Sequence, residues 1–208
     1  MIPINYEKLA GCDYILIDLD NTIYPEFSFL DLAFRNIGIF IEETYKIPSD
    51  EIHLYLIKEF KKKGRNKLFD KLLKKFHIES SFLMLLLNVL RNTIVEDKIK
   101  MYPEAKNIIE FAKKNDIRTI VVTNGNVQQQ KNKINSINWE GSNKNLIFIY
   151  ANLYEPKPSK LLWNSISVNL GSHFSKGIMI GDSIIDQQFA HNLGIEFYFA
   201  EWGAVSLI

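Results

Sequence analysis

Asp18 and Asp20 stand two residues apart at the end of the apolar run Tyr14 to Leu19. Side chains alternate along a strand, so both carboxylates project to one side, about 7 Å apart at a sheet edge. Two such charges repel unless a cation joins them, and a hard divalent ion such as Mg2+ takes the oxygen ligands they offer. The same ion would hold a phosphate oxygen in place. Other residues able to do chemistry lie further along: Thr123-Asn124-Gly125, Lys157 before Pro158, and Gly181-Asp182-Ser183-Ile184-Ile185-Asp186. Each has a bland alternative: solvated loop acids, a surface lysine, an ordinary turn threonine, or a helix cap at Asp182 or Ser183. What outweighs these is that all of them fall at the ends of predicted strands, where residues distant in sequence converge.

The elements that must position them are short apolar runs: Tyr14 to Leu19, Arg118 to Thr123, Leu146 to Tyr150, Gly177 to Gly181, and a fifth at Glu196 to Ala200. Helical spacing of apolar residues marks Glu104 to Lys114, Ser159 to Leu170 and Ile184 to Leu193 between them. This alternation predicts an α/β fold, a Rossmann-like parallel sheet with helices on both faces. From about Phe27 to Asp97 no strand-like run occurs, and helices are expected at Phe29 to Tyr45, Ser49 to Lys63 with Ser49 as N-cap, Asn66 to Phe76 and Ser80 to Arg91. The expected division is therefore a core of residues 1–24 and 98–208 with an all-helical insertion at 25–97. Placed directly after the first strand, the insertion would lie over that strand's carboxyl end as a lid.

In order and spacing, Asp18-x-Asp20-x-Thr22, Thr123 in a Thr-Asn-Gly turn, Lys157 before Pro158, and Gly181-Asp182-Ser183-x-x-Asp186 resemble the four motifs of the haloacid dehalogenase superfamily. The resemblance covers nearly the whole core and makes the insertion similar to that family's first type of cap. It implies that Asp18 attacks phosphorus and ligates Mg2+. Asp20 would give its backbone carbonyl to the metal, protonate the leaving oxygen, and later take a proton from water. Thr123 and main-chain N–H groups such as that of Asn124 would bind the phosphate, with Lys157 neutralising its charge. Asp182 would be a side-chain metal ligand, and Asp186 would orient a metal-bound water or Lys157. Dehalogenases need no acid at the position of Asp20, because a halide leaves without a proton, so Asp20 favours phosphoryl chemistry. The implied activity is hydrolysis of a small phosphomonoester such as a sugar phosphate, a nucleoside monophosphate, or a phosphorylated alcohol or amino alcohol. The segment Asp20-Asn21-Thr22-Ile23-Tyr24 is similar to pyrimidine nucleotidases, a local likeness. Phosphoryl transfer, as in family mutases, and a catalytically silent phosphate-binding domain are the alternatives.

Composition limits the classes further. The 208 residues are 47% hydrophobic and 24% charged, which suits a folded chain rather than a disordered one. With Lys plus Arg at 25 against 24 acids, there is no global field for gripping nucleic acid or an anionic membrane. The run Phe82 to Leu90 is far short of the roughly 20 residues a bilayer span needs and reads as a buried helix. Cys12 is the single cysteine and reads as inert, and together with an N-terminus lacking a secretion signal it suggests the cytoplasm. A monomer or homodimer is expected. The histidines His53, His77, His173 and His191 show no metal-ligand spacing and read as surface or partly buried. The cationic run Lys61 to Lys67 reads as a solvated face, Tyr24, Phe27 and Phe29 as packing between insertion and core, and Tyr102-Pro103-Glu104 equally as a segment near the site, which the resemblance implies, or as a helix start.

Overall fold

The computed structural model describes residues 4–170 and 175–203. After a short helix α1 (Tyr6–Ala10), strand β1 (Tyr14–Ile17) leads into four helices: α2 (Glu26–Tyr45), α3 (Ser49–Lys63), α4 (Leu68–Lys75) and α5 (Leu83–Asn92). The remaining order is β2 (Ile99–Lys100), α6 (Pro103–Lys114), β3 (Arg118–Thr123), α7 (Val127–Ser136) and β4 (Ile137–Asn138). It closes with β5 (Leu146–Tyr150), α8 (Leu162–Leu170), β6 (Gly177–Gly181), α9 (Ile184–Leu193) and β7 (Glu196–Phe199).

Five strands form one parallel sheet in the order β5-β3-β1-β6-β7, with Tyr14 in register with Arg118 on one side and Gly177 on the other. The strand period of two divides the apolar side chains between two cores. Ile15, Ile17, Val121, Ile178 and Ile180 join Ile108, Ile109 and Ala112 of α6 on one face. On the other, Leu16, Ile120, Val122 and Met179 pack with Leu162 and Ile166 of α8 and Phe189 and Ala190 of α9. Burial on both faces is why these strands read as unbroken apolar runs. The expected α/β architecture is present.

Several local expectations need correction. Ser49 is the first residue of α3, and Pro48 holds the N-cap position without a side-chain bond. The fourth helix of the insertion begins as a single 3-10 turn, Ser80–Phe82, and continues as α5. That helix is amphipathic rather than buried: Leu86 is enclosed, while Met84 and Leu85 face solvent. The predicted helix from Ser159 starts only at Leu162. His53 is buried and its Nε2 lies 2.8 Å from Asp31 Oδ1, whereas His77 and His191 are exposed and His173 lies outside the described residues. Helix α7 and the two-residue pair β2-β4 have no counterpart in the sequence reading. Phe29 and Tyr24 are fully enclosed, and Phe27 stacks on Phe60 with centroids 5.8 Å apart, as expected for packing.

Candidate active site

Strands β3, β1 and β6 lie side by side, so their carboxyl ends bring Thr123, Asp18 and Asp182 to one edge. Lys157 arrives from the loop after β5, the next strand over. It is fixed there by a reciprocal pair of bonds: Asn124 Nδ2 donates to Lys157 O, and Lys157 N donates to Asn124 Oδ1, both at 2.9 Å. The Lys157–Pro158 peptide is cis. Lys157 Nζ then donates to Asp18 Oδ1 at 2.5 Å and to Asp186 Oδ1 at 2.7 Å.

Asp186 has a second engagement. Its Oδ2 accepts from Ser183 Oγ at 2.6 Å and from Ser183 N at 3.3 Å, and with Asp186 N donating to Ser183 Oγ at 3.3 Å the backbone bonds close a capping box at the start of α9. Gly181 makes room for it, since a Cβ there would come within 2.5 Å of Asp186 Cγ. Asp18, Asp182 and Asp186 each offer a carboxylate oxygen, and the three atoms lie within 4.8 Å of one another. Burial, reinforced by Asp186 and Asp20 and opposed by Lys157, pushes the Asp18 carboxyl up to about 8. Burial and then Asp186 raise Asp182 to about 6, against a bond from Asn21. With all three ionised, three carboxylates against one ammonium would leave two negative charges in this cluster, the charge that burial resists when no cation is bound. Hard oxygen donors with that deficit fit a divalent cation such as Mg2+.

Asp20 is held by a separate set of groups. Tyr24, four residues on, donates its hydroxyl to Oδ1 at 2.9 Å. Gln130 Nε2 and Lys133 Nζ reach Oδ2 at 3.2 and 2.7 Å, and Gln130 also donates to Thr123 Oγ1 at 2.5 Å. Lys133 is fully buried and pairs on its far side with Glu26, which Arg65 also contacts. Burial alone would raise the Asp20 carboxyl, but the charges of Lys133 and Arg65 hold it below the usual carboxylate range. A cavity of about 150 Å3 opens in front, bordered by Asp18, Asp20, Thr123, Asn124, Lys157 and Asp186.

The sequence reading thus names residues that the fold gathers, but it contains neither Lys133 nor Gln130, nor the turn of Arg65 toward Glu26. Cys12, by contrast, lies away from this edge, and burial pushes its thiol up, the direction of low reactivity.

The family model for haloacid dehalogenase-like hydrolases matches residues 12–194. The chain belongs to this family. No curated protein matches the sequence. Among solved structures, the chain is similar to the candidate HAD hydrolase YfnB of Bacillus subtilis in a magnesium-bound form, at 21% identity and a TM-score of 0.64 over 90% of this chain and 86% of that one. A candidate phosphoglycolate phosphatase from Lactobacillus plantarum gives 17% identity and a TM-score of 0.58, covering 93% of this chain and 88% of that one. A candidate β-phosphoglucomutase from Thermotoga maritima gives 17% and 0.56, with 90% and 84% covered. At these identities the structural likeness concerns the fold. Phosphatases and mutases of the haloacid dehalogenase-like family share it, and no helix among the described residues of this member is long and apolar enough to cross a membrane.

Proposed function

We propose that this protein is a Mg2+-dependent phosphomonoester hydrolase working through a phospho-aspartate at Asp18. The observation that carries the reading is the gathering of Asp18, Lys157, Thr123 and Asp182 at the carboxyl ends of adjacent strands, with Asp20 beside them in its own hydrogen-bond set. Asp18 attacks phosphorus, and the bond to the leaving oxygen breaks as Asp20, a carboxylate in the free protein that takes up the proton brought by the phosphomonoester monoanion, passes that proton to the leaving oxygen. Water then attacks the phospho-aspartate, gives its proton to Asp20, and inorganic phosphate departs. Lys157 and Thr123 hold the oxygens of the transferring group, with main-chain N–H groups near Asn124. Asp18, Asp182 and the backbone carbonyl of Asp20 would hold Mg2+, which supplies charge neutralisation on the phosphoryl oxygens. Asp186, with both oxygens engaged, orients Lys157.

The substrate is a small phosphorylated metabolite, in keeping with a cavity of about 150 Å3. Residues 25–97 act as the cap that reads its leaving group, over a core of 1–24 and 98–208. The single cysteine supports a reducing, cytoplasmic setting. A panel of phosphorylated metabolites tests this: free phosphate should appear with Mg2+, cease with a chelator, and cease in Asp18→Asn. A phosphorylated product in place of free phosphate would make the protein a phosphotransferase, and no turnover across the panel would sink the reading.

A further inference from the structure

We propose that Lys133, backed by Glu26, is a positioning residue that holds the Asp20 carboxylate in the orientation from which it passes protons. The inference rests on the reading of Asp20 as proton donor to the leaving oxygen. Gln130 and Lys133 are three residues apart on α7, so they share a helix face, and both reach the same oxygen, Asp20 Oδ2. Tyr24 takes the other oxygen. The carboxylate is therefore fixed from two elements, and a group that transfers a proton loses efficiency quickly when its orientation drifts.

Charge points the same way. Asp20 and Glu26 are matched by Lys133 and Arg65, while the neighbouring cluster of Asp18, Asp182 and Asp186 has three acids against the single ammonium of Lys157. The Asp20 side chain thus has a cation of its own, Lys133, distinct from the Lys157 that pairs with Asp18. A fully buried ammonium such as that of Lys133 contributes little net stability, because desolvation offsets its ion pairs. Its value lies in where it holds Asp20.

The test compares phenyl phosphate, whose leaving group needs a proton, with p-nitrophenyl phosphate, whose leaving group needs little help. In Lys133→Met, kcat should fall roughly 100-fold on phenyl phosphate and less than about 10-fold on p-nitrophenyl phosphate. Adding Lys133→Met to Asp20→Asn should cost nothing further. Equal losses on both esters, or losses that multiply in the double variant, would overturn the proposal. If Lys133→Met fails to fold because buried Glu26 and Asp20 lose a cation, Lys133→Met with Glu26→Gln removes one charge of each sign and serves in its place. A second readout is rescue by the conservative variant: Lys133→Arg, which restores a cation beside Asp20, should recover most of the kcat on phenyl phosphate with KM unchanged. A Lys133→Arg variant as slow as Lys133→Met on phenyl phosphate, or a loss carried by KM instead of kcat, refutes the positioning role. Phosphate release that survives Asp18→Asn would instead refute the hydrolase mechanism, leaving the comparison of the two esters in Lys133→Met to decide the role of Lys133.

Discussion

Asp18 and Asp182 carry folded-state pKa values of about 8 and about 6, raised by burial beside other acids. The unfolded values lie near the ordinary ~3.9, so the folded protein binds protons more tightly. For acids raised on folding, this stability is complete below the unfolded value and is lost as pH climbs through the folded ones. The metal-free protein should accordingly lose thermal stability between about pH 4 and pH 8. A divalent cation that binds only the native state reverses the loss. At 100 times its Kd, Mg2+ should add about 2.7 kcal/mol, or roughly 5–10 °C in Tm for a chain of this size. Most of that shift should vanish in Asp182→Asn. Differential scanning fluorimetry across pH checks both, and a Tm indifferent to Mg2+ at pH 8 would contradict the cation site. At this scale the acids and Lys157 were legible because each sits in a short motif at a strand end. Lys133 and Gln130 were not, because their meaning depends on Asp20 and Glu26, more than a hundred residues earlier.

The same contrast separates the elements. The sheet strands were readable to within one or two residues, since side chains buried on both faces leave continuous apolar runs. Helix α7 was invisible: Val127-Gln-Gln-Gln-Lys-Asn-Lys-Ile-Asn-Ser has no apolar stripe, and its buried face includes Gln129, Gln130 and Lys133. The pair β2-β4 is too short to show a period. One contact between helices depends on a glycine. A Cβ on Gly38, inside α2, would lie 2.6 Å from the Ser49 carbonyl oxygen at the start of α3. Backbone cannot swing aside as a side chain can. Alanine at an interior helical glycine ordinarily gains up to about 1 kcal/mol, but overpacking costs about 1–3 kcal/mol. Gly38→Ala should therefore destabilise the protein, by about 1–2 kcal/mol in urea unfolding, and a stabilised variant would show that α2 and α3 part easily.

At the scale of the whole molecule, one apolar cluster runs from Ile15 and Ile17 of the sheet through Ile23 and Phe29 to Ile41, Leu56 and Leu72 of the inserted helices. The last described segment is tied in as well, with Trp202 Nε1 donating to Thr22 O at 3.0 Å, two residues beyond Asp20. Such continuity predicts a single cooperative unfolding transition. Ellipticity, weighted toward the helices of 25–97, and fluorescence of Trp139, Trp163 and Trp202 should melt together, and two separated transitions would contradict it. The candidate site draws on the same continuity: the sheet edge supplies Asp18, Thr123 and Asp182, while α2 supplies the Glu26 that pairs with Lys133 and the segment after α3 supplies the Arg65 that pairs with Glu26. The central claim remains that phosphate passes through Asp18. Rapid acid quench during turnover, followed by peptide mass spectrometry, tests it most directly. The account predicts a phosphoryl adduct on the peptide containing Asp18, absent in Asp18→Asn together with all turnover, whereas hydrolysis that persists in Asp18→Asn, or an adduct on another residue, would contradict it.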